Sequence, residues 1–102
     1  MIRHIVLTKF KPETTEATVA DIYNALAALT EELPGAQGFR GGRSESPEQI
    51  ERGYMHGFTI DFDDWNALQV YSDNEEHKAL GGQLVQNAVG GIDGILVLDI
   101  PC

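Results

Sequence analysis

The sequence predicts a single α+β domain with the element order β-α-β-β-α-β. Residues 2–10 alternate in character, which is typical of a strand, and residues 95–98 form a continuous apolar run. Two regions with helical spacing of apolar residues flank a second pair of strands. With 102 residues, the chain has the length of one domain, so residues 1–102 are taken as one unit.

The first strand carries apolar residues on both faces. Even-numbered positions, including His4 and Val6, form one face, and odd-numbered positions, including Ile5 and Leu7, form the other. Both faces of this strand are therefore expected to be covered.

A helix is predicted after Pro12. Thr14 or Thr15 can serve as its N-cap, and Pro34-Gly35 ends it. Between them, apolar side chains recur at helical spacing at Val19, Ile22, Tyr23, Leu26 and Leu29. This pattern indicates a helix with one buried stripe.

Two strands follow. Residues 38–43 form a weak, glycine-rich strand, and residues 54–62 alternate strongly. The bulky face of the second of these strands carries Tyr54, His56, Phe58, Ile60 and Phe62, whereas Met55 lies on the other face. The bulky face suits a covering of helices.

The second helical region is predicted in two pieces. Asp63 is expected to cap a short helix at 64–71 that buries Trp65, and Asp73 is expected to cap a second helix that ends near residue 89. Gly81-Gly82 is expected to weaken that helix by about 1–2 kcal/mol and to mark a kink or a close neighbour. The run at 95–98 is expected to be a strand buried on both sides.

This order of elements is the ferredoxin-like arrangement, in which helices cover one face of a four-stranded antiparallel sheet. The other face bears Ile5, Leu7, Met55 and part of the 95–98 run. Each of these side chains left in water forfeits about 1.5–3 kcal/mol. We therefore expect a homodimer that packs two such faces together.

Charge and composition narrow the classes of partner. Sixteen acidic and seven basic residues give a net charge of −9, which disfavours nucleic acid and anionic membrane surfaces. No apolar run approaches the roughly 20 residues of a membrane span, so a cytoplasmic location is expected. The only cysteine, Cys102, leaves no disulfide framework. No cofactor motif is visible, and no metal site is expected.

The chain resembles the stress-responsive dimeric A/B barrel family, known as Dabb. The resemblance rests on the opening segment 1–11 with its early histidine and closing Phe-Lys, on Leu33-Pro34-Gly35, on Gly53-Tyr54-Met55-His56, and on the closing run 95–99. It implies two ferredoxin-like protomers joined sheet to sheet as a dimeric α/β barrel. The family includes plant polyketide cyclases, stress-associated proteins and many bacterial members without an assigned activity.

Tyr71 and His77 are the candidate catalytic residues, because their spacing is similar to that of the tyrosine and histidine of the family's cyclases. A histidine can take a proton near neutral pH, and a phenol can donate to a carbonyl oxygen. The alternative is a core tyrosine and a surface histidine. Residues 74–77 read Asn-Glu-Glu-His where family members often read His-Pro-x-His. The two glutamates either favour the protonated form of His77 or belong to a solvated helix start.

His4, His56, Phe58 and Trp65 are the candidate ligand-binding residues, in a cavity between the sheet and the helices. Histidines that simply bond to core carbonyls are the alternative. The sequence thus favours a stress-responsive A/B barrel protein that binds a small hydrophobic ligand. The alternatives are a polyketide-cyclase-like enzyme that needs no cofactor and a cofactor-free oxygenase. The sequence is compatible both with an enzyme and with a protein that only binds a ligand.

Overall fold

The computed structural model describes the whole chain, residues 1–102. It contains three α-helices, four strands and one 3-10 turn at Gly91–Gly94. In chain order the strands and helices are β1 (Ile2–Thr8), α1 (Glu16–Glu32), β2 (Ala36–Arg43), β3 (His56–Phe62), α2 (Trp65–Asp73), α3 (Glu75–Asn87) and β4 (Ile95–Pro101). None of the helices combines the length and the apolar character needed to cross a membrane.

The four strands form one antiparallel sheet in the order β2-β3-β1-β4. Because β1 is central, each of its residues has a partner on both sides. His4 lies opposite Ile60 of β3 and Asp99 of β4, and Val6 lies opposite Phe58 and Val97. The predicted ferredoxin-like α+β fold is confirmed.

The core lies between the helices and the even-numbered face of β1 and β3. Burial alternates strictly along both strands, as the sequence predicts. The strand residues of the core pack against the buried stripe of α1 and against residues of α2 and α3, including Leu68, Tyr71, Leu80 and Leu84. The opposite face of the sheet is left without a helical cover.

The caps of the helices after β3 differ by one residue from the prediction. The carboxylate of Asp64, not Asp63, accepts the backbone N–H of Ala67 and caps α2. The side chain of Asn74, not Asp73, caps α3. At both places two neighbouring residues, Asp63-Asp64 and Asp73-Asn74, are of the types that cap helices. The sequence alone therefore did not distinguish which of the two is the cap.

Two further expectations are wrong. Val97, on the helix-facing side of β4, is 54% exposed rather than buried, because β4 is an edge strand that packs mainly against β1 and the 3-10 turn. Leu96 and Leu98, which are 44% and 50% exposed, lie on the opposite face, where a second copy is expected to cover them. Gly81 and Gly82 meet no neighbour: a Cβ atom added at either position would have nothing within 4 Å. Helix α3 runs through both glycines without interruption.

Candidate functional site

A cavity of about 430 Å³ lies between the sheet and the helices α2 and α3. Ten of the sixteen residues that line it are hydrophobic, and the polar ones include His4 and His77. Val97 and Ile92 line it and are 54% and 67% exposed, so the mouth opens beside β4 and the 3-10 turn. A mostly apolar cavity with a few polar groups is the usual form of a small-molecule site.

His77 is held in the cavity wall by the start of α3. Its backbone N–H donates to the Oδ1 atom of Asn74 at 3.0 Å. Its ring nitrogen Nδ1 lies 3.3 Å from the carbonyl oxygen of Ser72, and since a carbonyl only accepts, Nδ1 carries the proton. This bond fixes the tautomer and leaves Nε2 as the free acceptor.

Burial lowers the pKa of His77 below its usual value. The hydrogen bond to the carbonyl of Ser72 opposes this shift, while the nearby His4 and Lys78 add to it. The interpretation that the adjacent glutamates favour the protonated ring is therefore wrong. The side chain of Glu75 is 91% exposed, and water screens its charge. The neutral imidazole is thus the form present at neutral pH.

Tyr71 packs directly against His77, with ring centroids 4.1 Å apart. Its side chain is 1% exposed, and its hydroxyl has no hydrogen-bond partner among the protein groups. Burial raises the pKa of this phenol, which therefore keeps its proton at neutral pH. The ring forms part of the cavity wall, whereas the sealed hydroxyl reaches a ligand only after a side-chain shift.

His4 completes this cluster together with an acidic residue that the sequence reasoning missed. The centroids of the His4 and Tyr71 rings lie 5.6 Å apart. Nδ1 of His4 donates to the Oδ1 atom of Asp99 at 2.6 Å, an arrangement that orients the imidazole. Asp99 is the only charged residue in β4 and shares the helix-facing side with Val97. That isolated charge in an apolar strand is the signal that could have identified it.

Of the other predicted ligand-binding residues, one lines the cavity and two lie outside it. Phe58 lines the cavity, as expected for a ligand contact. His56 does not: it pairs with Thr8 at the other end of β1, about 13 Å along the strand from the position of His4. There its Nε2 atom lies 2.9 Å from the carboxylate of Glu16, so it ties β3 to α1.

Trp65 also lies outside the cavity. It is the first residue of α2 and its side chain is 55% exposed, so the predicted burial is wrong. Leu68 and Tyr71 are buried, whereas Trp65 stands at the exposed start of the helix although it is only three positions from Leu68. The structure also brings no three side chains of His, Cys, Asp or Glu together in a way that could hold a metal ion.

Comparison with known proteins is consistent with this architecture. The chain is 34% identical to a dimeric ferredoxin-like protein of unknown function from Jannaschia sp. CCS1, with a TM-score of 0.92 over 99% of this chain and 98% of the other. It is 25% identical to the olivetolic acid cyclase of Cannabis sativa over 80 residues, which are 78% of this chain and 79% of that protein.

A second plant protein matches at greater length. The stress-response A/B barrel domain-containing protein HS1 of Arabidopsis thaliana is 24% identical over 98 residues, covering 96% of this chain and 86% of its own. The family model described as Stress responsive A/B Barrel Domain matches residues 2–102. Fold, length and sequence agree, and the chain belongs to the stress-responsive A/B barrel (Dabb) family.

Proposed function

We propose that the cavity binds a small, mostly apolar ligand that carries a carbonyl group. The observation that carries this proposal is the composition of the cavity wall, which is mostly apolar and carries a cluster formed by His4, Tyr71, His77 and Asp99, with Ser72 and Lys78 as its other polar side chains. Tyr71 can donate a hydrogen bond and His77 can accept a proton, while the apolar wall holds the rest of the ligand.

Hexanophenone is a suitable probe, because it joins a ketone to a phenyl ring and an alkyl chain. At ten times its Kd it would stabilise the fold by about 1.4 kcal/mol, which raises the Tm of a domain of this size by about 6 °C or more. Val97→Trp places an indole at the mouth of the cavity and is expected to abolish this shift.

Val70→Trp is the matched control. Val70 is 47% exposed on α2 and does not line the cavity, so this variant should bind hexanophenone like the wild type. Equal Tm shifts in both variants, or no shift in the wild type for any alkyl phenyl ketone, would contradict the proposal.

Proton transfer at a ligand carbonyl is the second candidate function. It is supported by the neutral, tautomer-fixed His77 packed against a protonated Tyr71, and by the similarity to a cyclase. In this reaction Nε2 of His77 takes a proton from the carbon beside the carbonyl, and a hydrogen bond from Tyr71 stabilises the enolate oxygen. The enolate carbon can then attack a second carbonyl of the same molecule; the C=O π bond of that carbonyl opens, the resulting alkoxide takes the proton held by His77, and the ring closes.

Exchange of hydrogen for deuterium tests the first step alone. In D2O the wild type is expected to accelerate loss of the α-proton signal of hexanophenone, measured by NMR, and His77→Gln should remove at least 90% of this acceleration. His56→Gln changes a histidine outside the cavity and should leave the rate unchanged. A rate insensitive to His77→Gln would leave binding as the function of the cavity.

We also propose that the chain forms a homodimer through the uncovered face of its sheet. Ile5, Leu7 and Met55 are half-buried there, and Leu98 is 50% exposed next to Ile5 in the register. The Jannaschia protein is described as dimeric. Two such faces packed together would form a dimeric α/β barrel and remove these side chains from water.

Sedimentation equilibrium tests the dimer. The wild type is expected to sediment with twice the chain mass at 10 µM, whereas Leu98→Lys buries a charge in the interface and should give monomers. Val70→Lys, on the outer side of α2, should remain dimeric. A monomeric wild type would refute the proposed interface.

Two further expectations from the sequence stay predictions. Oxygen uptake with an anthrone substrate would test the oxygenase hypothesis. Cell fractionation would test the cytoplasmic location.

A further inference from the structure

Gly81 occupies an unusual place in α3. It lies in the interior of the helix, is half-buried, and forms part of the wall of the cavity. Glycine weakens a helix interior relative to alanine, because the backbone loses more freedom on folding. Such a glycine is expected where a neighbouring group leaves no room for a side chain.

No such neighbouring group exists at Gly81. At Gly57, an added Cβ would lie 2.6 Å from Leu7 Cδ2, and at Gly41 it would lie 2.9 Å from Phe58 Cβ, so close packing excludes a side chain at both. At Gly81, an added Cβ would meet nothing within 4 Å. Because Gly81 also lines the cavity, the space that a side chain would take there is open to the cavity.

The position of Gly81 along the helix relates this space to the polar cluster. His77, Gly81 and Val85 all line the cavity and are spaced four residues apart, so they follow one another along one face of α3. Each step is about 6 Å along the helix axis. Along this face, His77 provides a proton acceptor, Gly81 has no side chain, and Val85 provides an apolar side chain.

We infer that Gly81 determines which ligands the cavity accepts, by admitting an alkyl chain past α3 about one helical turn from His77. This inference rests on the proposed binding of a carbonyl ligand. A ketone whose oxygen lies at the polar cluster then directs its apolar part over Gly81 towards Val85. The preferred class is an aryl ketone whose alkyl chain, about four carbons or longer, spans the roughly 6 Å from His77 to Gly81.

The test compares two ketones of different length. Kd is measured from the NMR shift of the His77 ring for acetophenone and hexanophenone, with wild type, Gly81→Ala and Gly81→Leu. A leucine side chain fills space that would hold about two methylenes of the ligand, so Gly81→Leu should weaken hexanophenone binding about tenfold or more. Gly81→Ala should weaken it by a smaller factor, and acetophenone should bind all three proteins within twofold.

Gly82 provides the matched control. It lies next to Gly81 in the same helix, is exposed, does not line the cavity, and also has nothing within 4 Å of an added Cβ. Nothing in the structure explains why it is glycine. Gly82→Ala and Gly82→Leu should bind both ketones like the wild type, and all four variants should melt at or above the wild-type Tm.

The possible outcomes separate the two proposals. Selective loss of hexanophenone in the Gly81 variants supports the inference. If the Gly81 and Gly82 variants bind hexanophenone equally well, the inference fails and the proposed binding function stands. If neither ketone binds the wild type, the proposed function fails and the inference fails with it.

Discussion

Replacement of Tyr71 by phenylalanine is expected to stabilise the protein when no ligand is bound. The hydroxyl of Tyr71 is sealed from solvent and has no protein partner, in a side chain that is 1% exposed. A buried polar group without a hydrogen bond costs about 1–3 kcal/mol. Phenylalanine keeps the packing of the ring against His77 and removes only this unsatisfied group.

The stability gain can be measured by urea denaturation at pH 7. The midpoint should rise at an unchanged m-value, by an amount that corresponds to about 1 kcal/mol or more. In a thermal melt this equals an increase in Tm of about 4–8 °C for each kcal/mol.

Tyr23→Phe separates the effect on stability from the effect on ligand binding and exchange. The hydroxyl of Tyr23 is also buried without a partner, but Tyr23 does not line the cavity. Both variants should gain stability, whereas only Tyr71→Phe should lose hexanophenone binding and α-proton exchange. If Tyr71→Phe is less stable than the wild type, the hydroxyl has a hydrogen bond in solution, and the reasoning is refuted.

Three further predictions concern charged groups. Because burial lowers the pKa of His77, its ring should titrate by NMR with a midpoint below 6.5, and α-proton exchange should fall as pH decreases through that midpoint; a midpoint above 6.5 would contradict this. The hydrogen bond from His56 lowers the pKa of Glu16. The charged Glu16 therefore stabilises the folded protein above pH 4.5, and this stabilisation is lost as the pH falls through the lowered pKa. The Tm values of wild type and Glu16→Gln should therefore converge in acid, and a gap that widens would refute this linkage. Asp99→Asn should slow α-proton exchange several-fold with little change in Tm, because Asp99 on the edge strand orients His4, whose ring packs against Tyr71. An unchanged rate would show that the orientation of His4 does not affect the exchange.

Local patterns were sufficient to predict much of this fold. The alternation in β1 and β3 specified which face meets the helices, and it placed His4 and Phe58 correctly on that side. A continuous apolar run such as residues 95–98, however, has the same composition whether it lies in a central or an edge strand. The exposure of β4 depends on where the helices lie, which is a property of the tertiary packing.

The candidate site required tertiary information in the same way. His4 and His56 share a face by parity, and the register places His56 opposite Thr8, four residues along β1 from His4. The bond between His4 and Asp99 joins residues 95 positions apart, beyond the reach of any local pattern. Trp65 is exposed although its spacing of three residues from the buried Leu68 is typical of a shared helix face, so this spacing did not predict its environment.

The chain contains three histidines, and their ring signals provide the most direct test of the cavity as a binding site. His4 and His77 line the cavity, whereas His56 is bonded to Glu16 outside it and serves as an internal control. Titration with hexanophenone, followed by NMR, should shift the ring signals of His4 and His77 along one saturation curve and leave His56 unmoved. Shifts confined to His56, or no saturable shift at His4 and His77, would contradict the proposed binding site.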